Sequence, residues 1–281
     1  VEEGGESPPL LYLSDTLCGV SNQTDVVLRD LAGEVAALSQ LLSGLSDNQW
    51  SAVTPAEGWN VADQVIHLGL FDQRCLWSMV DEERFRTDRQ EMSVSGGVEG
   101  LQNSHRGRSP EELFAWWRDG AQELAHAALS VDLSKRCAWY GPSMSARSML
   151  TARLMETWAH GLDIADAVGE SLTPTDRLIH VAHIGVRAMG FAFVTNGRTA
   201  PDEEVFVELL APSGETWTWG SPNASSSVRG SAYGFCCAVT QRRHVNDCGL
   251  TVTGNVAREW MSIAQAFAGP PGSGRAEGQF S

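Results

Sequence analysis

Apolar residues recur at helical spacing through much of the chain. Val27, Leu28, Leu31, Val35, Leu38, Leu41, Leu42 and Leu45 fall three and four apart after Asp25, and predict an amphipathic helix starting near Thr24. "SDNQWSAVTPAEGW" breaks the pattern and reads as a loop. Asn60 can cap a second helix, with Asp63 placed to close a capping box. That helix, "VADQVIHLGLFDQRCLWSMV", is apolar on most sides yet carries His67. Residues 84–108 are polar, glycine-bearing and weakly periodic, and predict a long, mobile connection. A third helix opens on Ser109 as cap, with Pro110 in its first position and Glu112 closing the box. A loop with "CAWYGPSMS" leads to a fourth helix, about Ala146 to Val168, which Gly169 stops.

Beyond "SLTP" the texture changes. "TDRLIHVAHIGVRAMGFAF" predicts one more helix, and "EVFVELLAP", "SGE" and "TWTWG" predict a hairpin. "SSSVRGSAYGFCCAVTQRR" reads as a strand leading to a helix, "CGLTVTG" as a strand and "VAREWMSIAQAF" as a closing helix. The expected fold class is mainly α, a four-helix bundle followed by a smaller α+β domain. The expected boundaries are a loose leader over 1–20, the bundle over 21–170, the smaller domain over 171–268 and a disordered tail over 269–281.

With 281 residues, 42% of them hydrophobic, the chain can build real cores. The net charge of −15 excludes a nucleic-acid binder, which needs a basic face to displace counterions from phosphate. No apolar run approaches the ~18 residues of a membrane span. The first residues lack a basic n-region, so no signal peptide is expected. Six cysteines, at 18, 75, 137, 236, 237 and 248, form no CxxC pair and read as reduced thiols, which with the rest predicts a cytoplasmic protein. There is no GxGxxG, phosphate loop or nucleophile elbow to suggest a nucleotide, a flavin or a serine nucleophile.

Candidate chemistry gathers on the fourth helix. Glu156, His160 and Asp163 follow one another at steps of four and three, which stacks them on one face. Such a row can be a solvated face, and His67 can be a hydrogen-bonded core histidine. The flanks Leu154, Met155, Trp158, Ala159, Leu162 and Ile164 leave little room for a wide wet face, however. A neutral imidazole from one helix, with a carboxylate and an imidazole four apart on another, would also make a facial set of two nitrogens and one oxygen for a divalent metal. Three protein ligands leave a position open for water or substrate. On spacing alone both readings stand.

"TPAEGWNVADQVIHLGLFD" resembles the opening of the second helix of the DinB-like superfamily, and "ARLMETWAHGLDIADAVG" its fourth. More narrowly, the chain is similar to the actinobacterial branch that contains mycothiol-dependent maleylpyruvate isomerase and a related group of uncharacterised metal-binding proteins. The resemblance covers about residues 24–268. It implies a DinB-like bundle with His67, Glu156 and His160 as metal ligands. Zinc is the usual ion, with nickel, iron or manganese able to use the same set. It further implies an isomerase or S-transferase in which mycothiol or another small thiol, activated by the metal, attacks an electrophilic small molecule.

Among the neighbours, Asp163 is a candidate to orient a ligand imidazole, against the alternative of a surface aspartate near a helix end. Arg74, seven residues after His67, is a candidate to hold a substrate or thiol carboxylate. Asp63 is explained by its cap. Trp139 and Tyr140 could line the mouth of the site. Arg187 and the run Gln241 to His244 could reach anions or be solvated helix ends, and His180 and His183 read as ordinary or pocket-lining. Cys236 and Cys237 read as core thiols. Two alternatives to the thiol enzyme remain: a thiol-independent Lewis-acid cyclase, lyase, isomerase or hydrolase, and a non-catalytic small-molecule-binding protein. The substrate, the oligomeric state and the roles of 84–108 and the second domain are not specified.

Overall fold

The computed structural model describes residues 25–94 and 96–280. The expected leader, with Cys18, lies outside the described residues. Along the chain run α1 (Val26–Ser43), the short α2 (Asp47–Trp50), α3 (Val61–Val80), α4 (Glu82–Val94), α5 (Gly97–Asn103) and α6 (Pro110–Ala128). A two-stranded ribbon of β1 (Arg136–Cys137) and β2 (Met144–Ser145) leads into α7 (Ala146–Val168). Then come α8 (Leu178–Arg187), α9 (Met189–Thr195), β3 (Val205–Leu210), β4 (Thr216–Trp219), β5 (Ser226–Ser231), α10 (Ala232–Val239), β6 (Thr251–Thr253) and α11 (Asn255–Ser262). The four expected long helices are α1, α3, α6 and α7, and the α+β part follows them.

Local chemistry sets where these helices begin and end. Asp25 accepts the Val27 N–H at the start of α1. Reciprocal capping boxes join Asn60 to Asp63 and Ser109 to Glu112, with Pro110 just inside α6. Gly169 takes a φ of 73° after α7, and the Glu170 N–H then reaches back to the Ala165 carbonyl, the bond of a Schellman stop.

Two compact units share the chain. One holds the residues up to Ala52 with Asn60–Arg153, the other Val53–Trp59 with Leu154 onward, so the division falls inside α7, which runs on unbroken. In the first unit α3 packs along α6, and α6 on α1. Gly69 permits the close approach: a Cβ there would stand 2.5 Å from the Trp116 ring. The expected loop over 84–108 is largely helical, as α4 and α5. Its weak periodicity has a cause, since Phe85 alone is buried on α4 and the helix is held by polar contacts. Asp81 accepts the Arg84 N–H at its start, and Asp88 pairs with Arg74 at 2.7 Å. Arg106, past α5, pairs with Asp63 at 2.8 Å. The expected loop before Asn60 contains α2.

In the second unit a four-stranded sheet runs in the order β4-β3-β5-β6. The β3–β4 hairpin sets Val207 opposite Trp219, β3 and β5 run parallel, and β6 closes antiparallel on β5. The single helix expected over "TDRLIHVAHIGVRAMGFAF" is two, α8 and α9, bent by 53°. No single helix among the described residues is long and apolar enough to cross a membrane; the bent pair α8–α9 reaches that length and composition together. Residues 269–280, expected to be disordered, contain no helix or strand but are held at several points. The Gln265 side-chain amide donates to the Gly269 carbonyl, the Gly278 N–H donates to Asp247, and Arg243 lies over the Phe280 ring.

Candidate metal centre

His67 projects from α3, and Glu156 and His160 from successive turns of α7. One ligand atom from each lies within 4.8 Å of the others, with His160 buried and the other two half-buried. His160 Nε2 is 3.1 Å from Glu156 Oε2. Two donors bound to one zinc at about 2.0–2.2 Å and tetrahedral angles stand roughly 3.4 Å apart. The Glu156–His160 pair is already near that spacing. The chemistry of the set, two imidazoles and a carboxylate, also fits a divalent ion.

Aromatic rings fix the two imidazoles. Trp59 stacks on His160 with centroids 5.9 Å apart and planes 13° from parallel. Phe71, one turn along α3, meets His67 at 4.6 Å. Behind Phe71 stand Trp139 and Tyr140, at 6.4 and 5.9 Å, and Phe85 stacks on Trp139. The two aromatics expected near the mouth therefore belong to an apolar wall beside His67. Burial pushes the Tyr140 phenol up, the nearby Arg74 opposing it.

Other candidates have different partners. Arg74 is 2% exposed; it pairs with Asp88 and donates to the Leu70 carbonyl at 3.0 Å. Asp163 is fully buried and meets two guanidiniums, Arg275 at 2.7 Å and Arg242 at 3.0 Å. Arg243 grips Asp166 through both terminal nitrogens. His244 caps a short turn by accepting the Asn246 N–H. The His183 ring accepts from the Trp219 indole at 3.4 Å, and burial, with Arg187 and His180 nearby, lowers its pKa.

One buried pair escaped the sequence reading. Arg153 and Asp72 are 4% and 3% exposed and stand 2.8 Å apart. The available signal was a lone arginine one turn before Glu156 on an otherwise apolar stretch. The described cysteines, 75, 137, 236, 237 and 248, are all free and buried. Burial pushes Cys75 and Cys237 up to about 12 and Cys248 to about 11. None of them is a thiolate near neutrality.

Long helices, with imidazole and carboxylate donors on α3 and α7, followed by a small α+β unit, give the chain a mostly helical, DinB-like fold. Residues 31–165, which contain His67, Glu156 and His160, match the mycothiol maleylpyruvate isomerase N-terminal domain. Uncharacterized proteins from two strains of Mycobacterium tuberculosis are 44% identical over 248 residues, covering 88% of this chain and 96% of theirs. Crystal structures of mycothiol-dependent maleylpyruvate isomerase and of one of its mutants superpose with TM-scores of 0.50 and 0.55. They share 16% and 18% identity over 80% of this chain and 91% of theirs, a likeness of fold. The chain belongs to one family with these mycobacterial proteins, and its residues 31–165 match the mycothiol maleylpyruvate isomerase N-terminal domain.

Proposed function

We propose that the protein is a cytoplasmic, divalent-metal-dependent enzyme that uses mycothiol or a similar small thiol on an electrophilic small molecule, as an isomerase or S-transferase. The observation that carries this is the convergence of His67, Glu156 and His160 within 4.8 Å. An ion bound there, zinc before the others, supplies Lewis acidity that holds a thiol as thiolate at neutral pH. Trp59 and Phe71 limit how the two imidazoles rotate, so the donors stay directed at one point. Phe71, backed by Trp139 and Tyr140, gives His67 an apolar neighbour on one side. The five described cysteines are buried, and this reading takes the attacking sulfur from the co-substrate.

Two observations favour a second reading, a thiol-independent Lewis-acid enzyme. The wall beside His67 is apolar, and Arg74, the candidate for a thiol carboxylate, is committed to Asp88. Elemental analysis of chelator-free protein beside His67→Ala, Glu156→Ala and His160→Ala tests the shared step. About one ion per chain is expected, lost in each folded variant; unchanged occupancy in all three would remove the site. Turnover of the loaded enzyme with and without mycothiol then separates the two readings.

A further inference from the structure

The metal site alone does not explain why two charges are buried next to its ligands. Arg153 and Asp72 are almost wholly removed from water, a heavy desolvation cost that well-packed apolar side chains would avoid. The fold by itself therefore does not require them, and the best-attested use of such a pair is to fix registry. The Arg153 guanidinium binds α3 twice. Its Nε donates to Asp72 at 2.8 Å, and a terminal nitrogen donates to the Leu68 carbonyl at 3.2 Å. Leu68 directly follows His67, so the second bond grips the backbone beside that imidazole. On its own helix, Arg153 precedes Glu156 by three residues and shares its face, about 4.5 Å along the axis. One planar group is thus tied just after one ligand and just before the next.

We propose that Arg153, held by Asp72, is a positioning residue that fixes α3 at Leu68 and so sets where the neighbouring His67 presents its imidazole. The inference rests on the metal reading above and adds the residue pair that holds the α3 backbone beside one of its ligands. Two bonds in different directions fix both the slide and the rotation of α3 at Leu68. A lysine keeps the charge but cannot make both bonds in that plane.

The test uses the full-length protein, stripped of metal and loaded with Co²⁺, whose visible absorption reports ligand geometry. Arg153→Met combined with Asp72→Leu removes both charges together, so neither is left buried and unpaired. The double variant is expected to keep wild-type helicity, bind Co²⁺ about 10–100-fold more weakly and show an altered spectrum. Arg153→Lys is expected to recover part of the affinity and of the spectrum. A folded double variant with unchanged affinity and spectrum overturns the positioning role and leaves the metal site standing. A wild type that takes up no Co²⁺ overturns the metal site, and the positioning role with it. If the double variant does not fold, Arg153→Lys alone decides: weaker binding and a shifted spectrum are expected, and unchanged values overturn the role.

Discussion

His105 lies against the Trp116 indole, centroids 4.3 Å apart, with Arg108 over the same ring at 5.5 Å. Burial first, then Arg108 and Arg74, lowers its pKa below the ordinary 6.5. The folded state therefore holds fewer protons on this group than the unfolded chain does. Its contribution to stability is complete above pH 6.5 and is lost as the pH falls through the lowered value. Urea midpoints at pH 7.5 and 5.5 should separate more in the wild type than in His105→Gln; equal separations would show that the ring does not carry this dependence. Single-residue chemistry was unevenly legible. His67, Glu156 and His160 could be singled out because helical spacing and a family resemblance both mark them. The partners of Asp163 could not, because Arg242 and Arg275 lie far along the chain and only the folded backbone brings them to it.

Between elements, the approach of α3 and α6 depends on one absent side chain. Gly69 lies two residues past His67, and the Trp116 ring occupies the space its Cβ would need. Gly69→Val should lower stability by about 1–3 kcal/mol through overpacking, and should disturb metal uptake more than a substitution of like cost on α1. Thermal unfolding with a metal titration checks both; a neutral variant would mean that Trp116 moves aside freely. Element by element, the sequence revealed helices where an apolar stripe met a cap, as at Asn60 and Ser109. It hid α4, whose burial rests on Phe85 and whose remaining support is ionic. It also hid the break between α8 and α9, where apolar periodicity continues through a bend of 53°.

At the scale of the whole chain, the last residues are part of the second unit's structure. Arg275 supplies one of two cations to a carboxylate fully removed from water, and Phe280 lies beneath Arg243. Ending the chain at Ala268 should destabilise that unit by about 1–3 kcal/mol, since buried polar groups lose partners. Arg275→Ala should give part of this loss and Arg275→Lys less. A melting temperature indifferent to all three changes would show that the tail only rests on the surface.

In both units the described sulfurs are sealed: Cys75 and Cys137 in the first, Cys236, Cys237 and Cys248 in the second. A protein that works with a free small thiol meets that thiol's oxidised, disulfide form as well. Exchange needs a thiolate with access, and these five side chains offer neither, so they resist becoming mixed disulfides with such a thiol. In that respect the described part of the folded protein is chemically deaf to the redox state of any small-thiol pool around it.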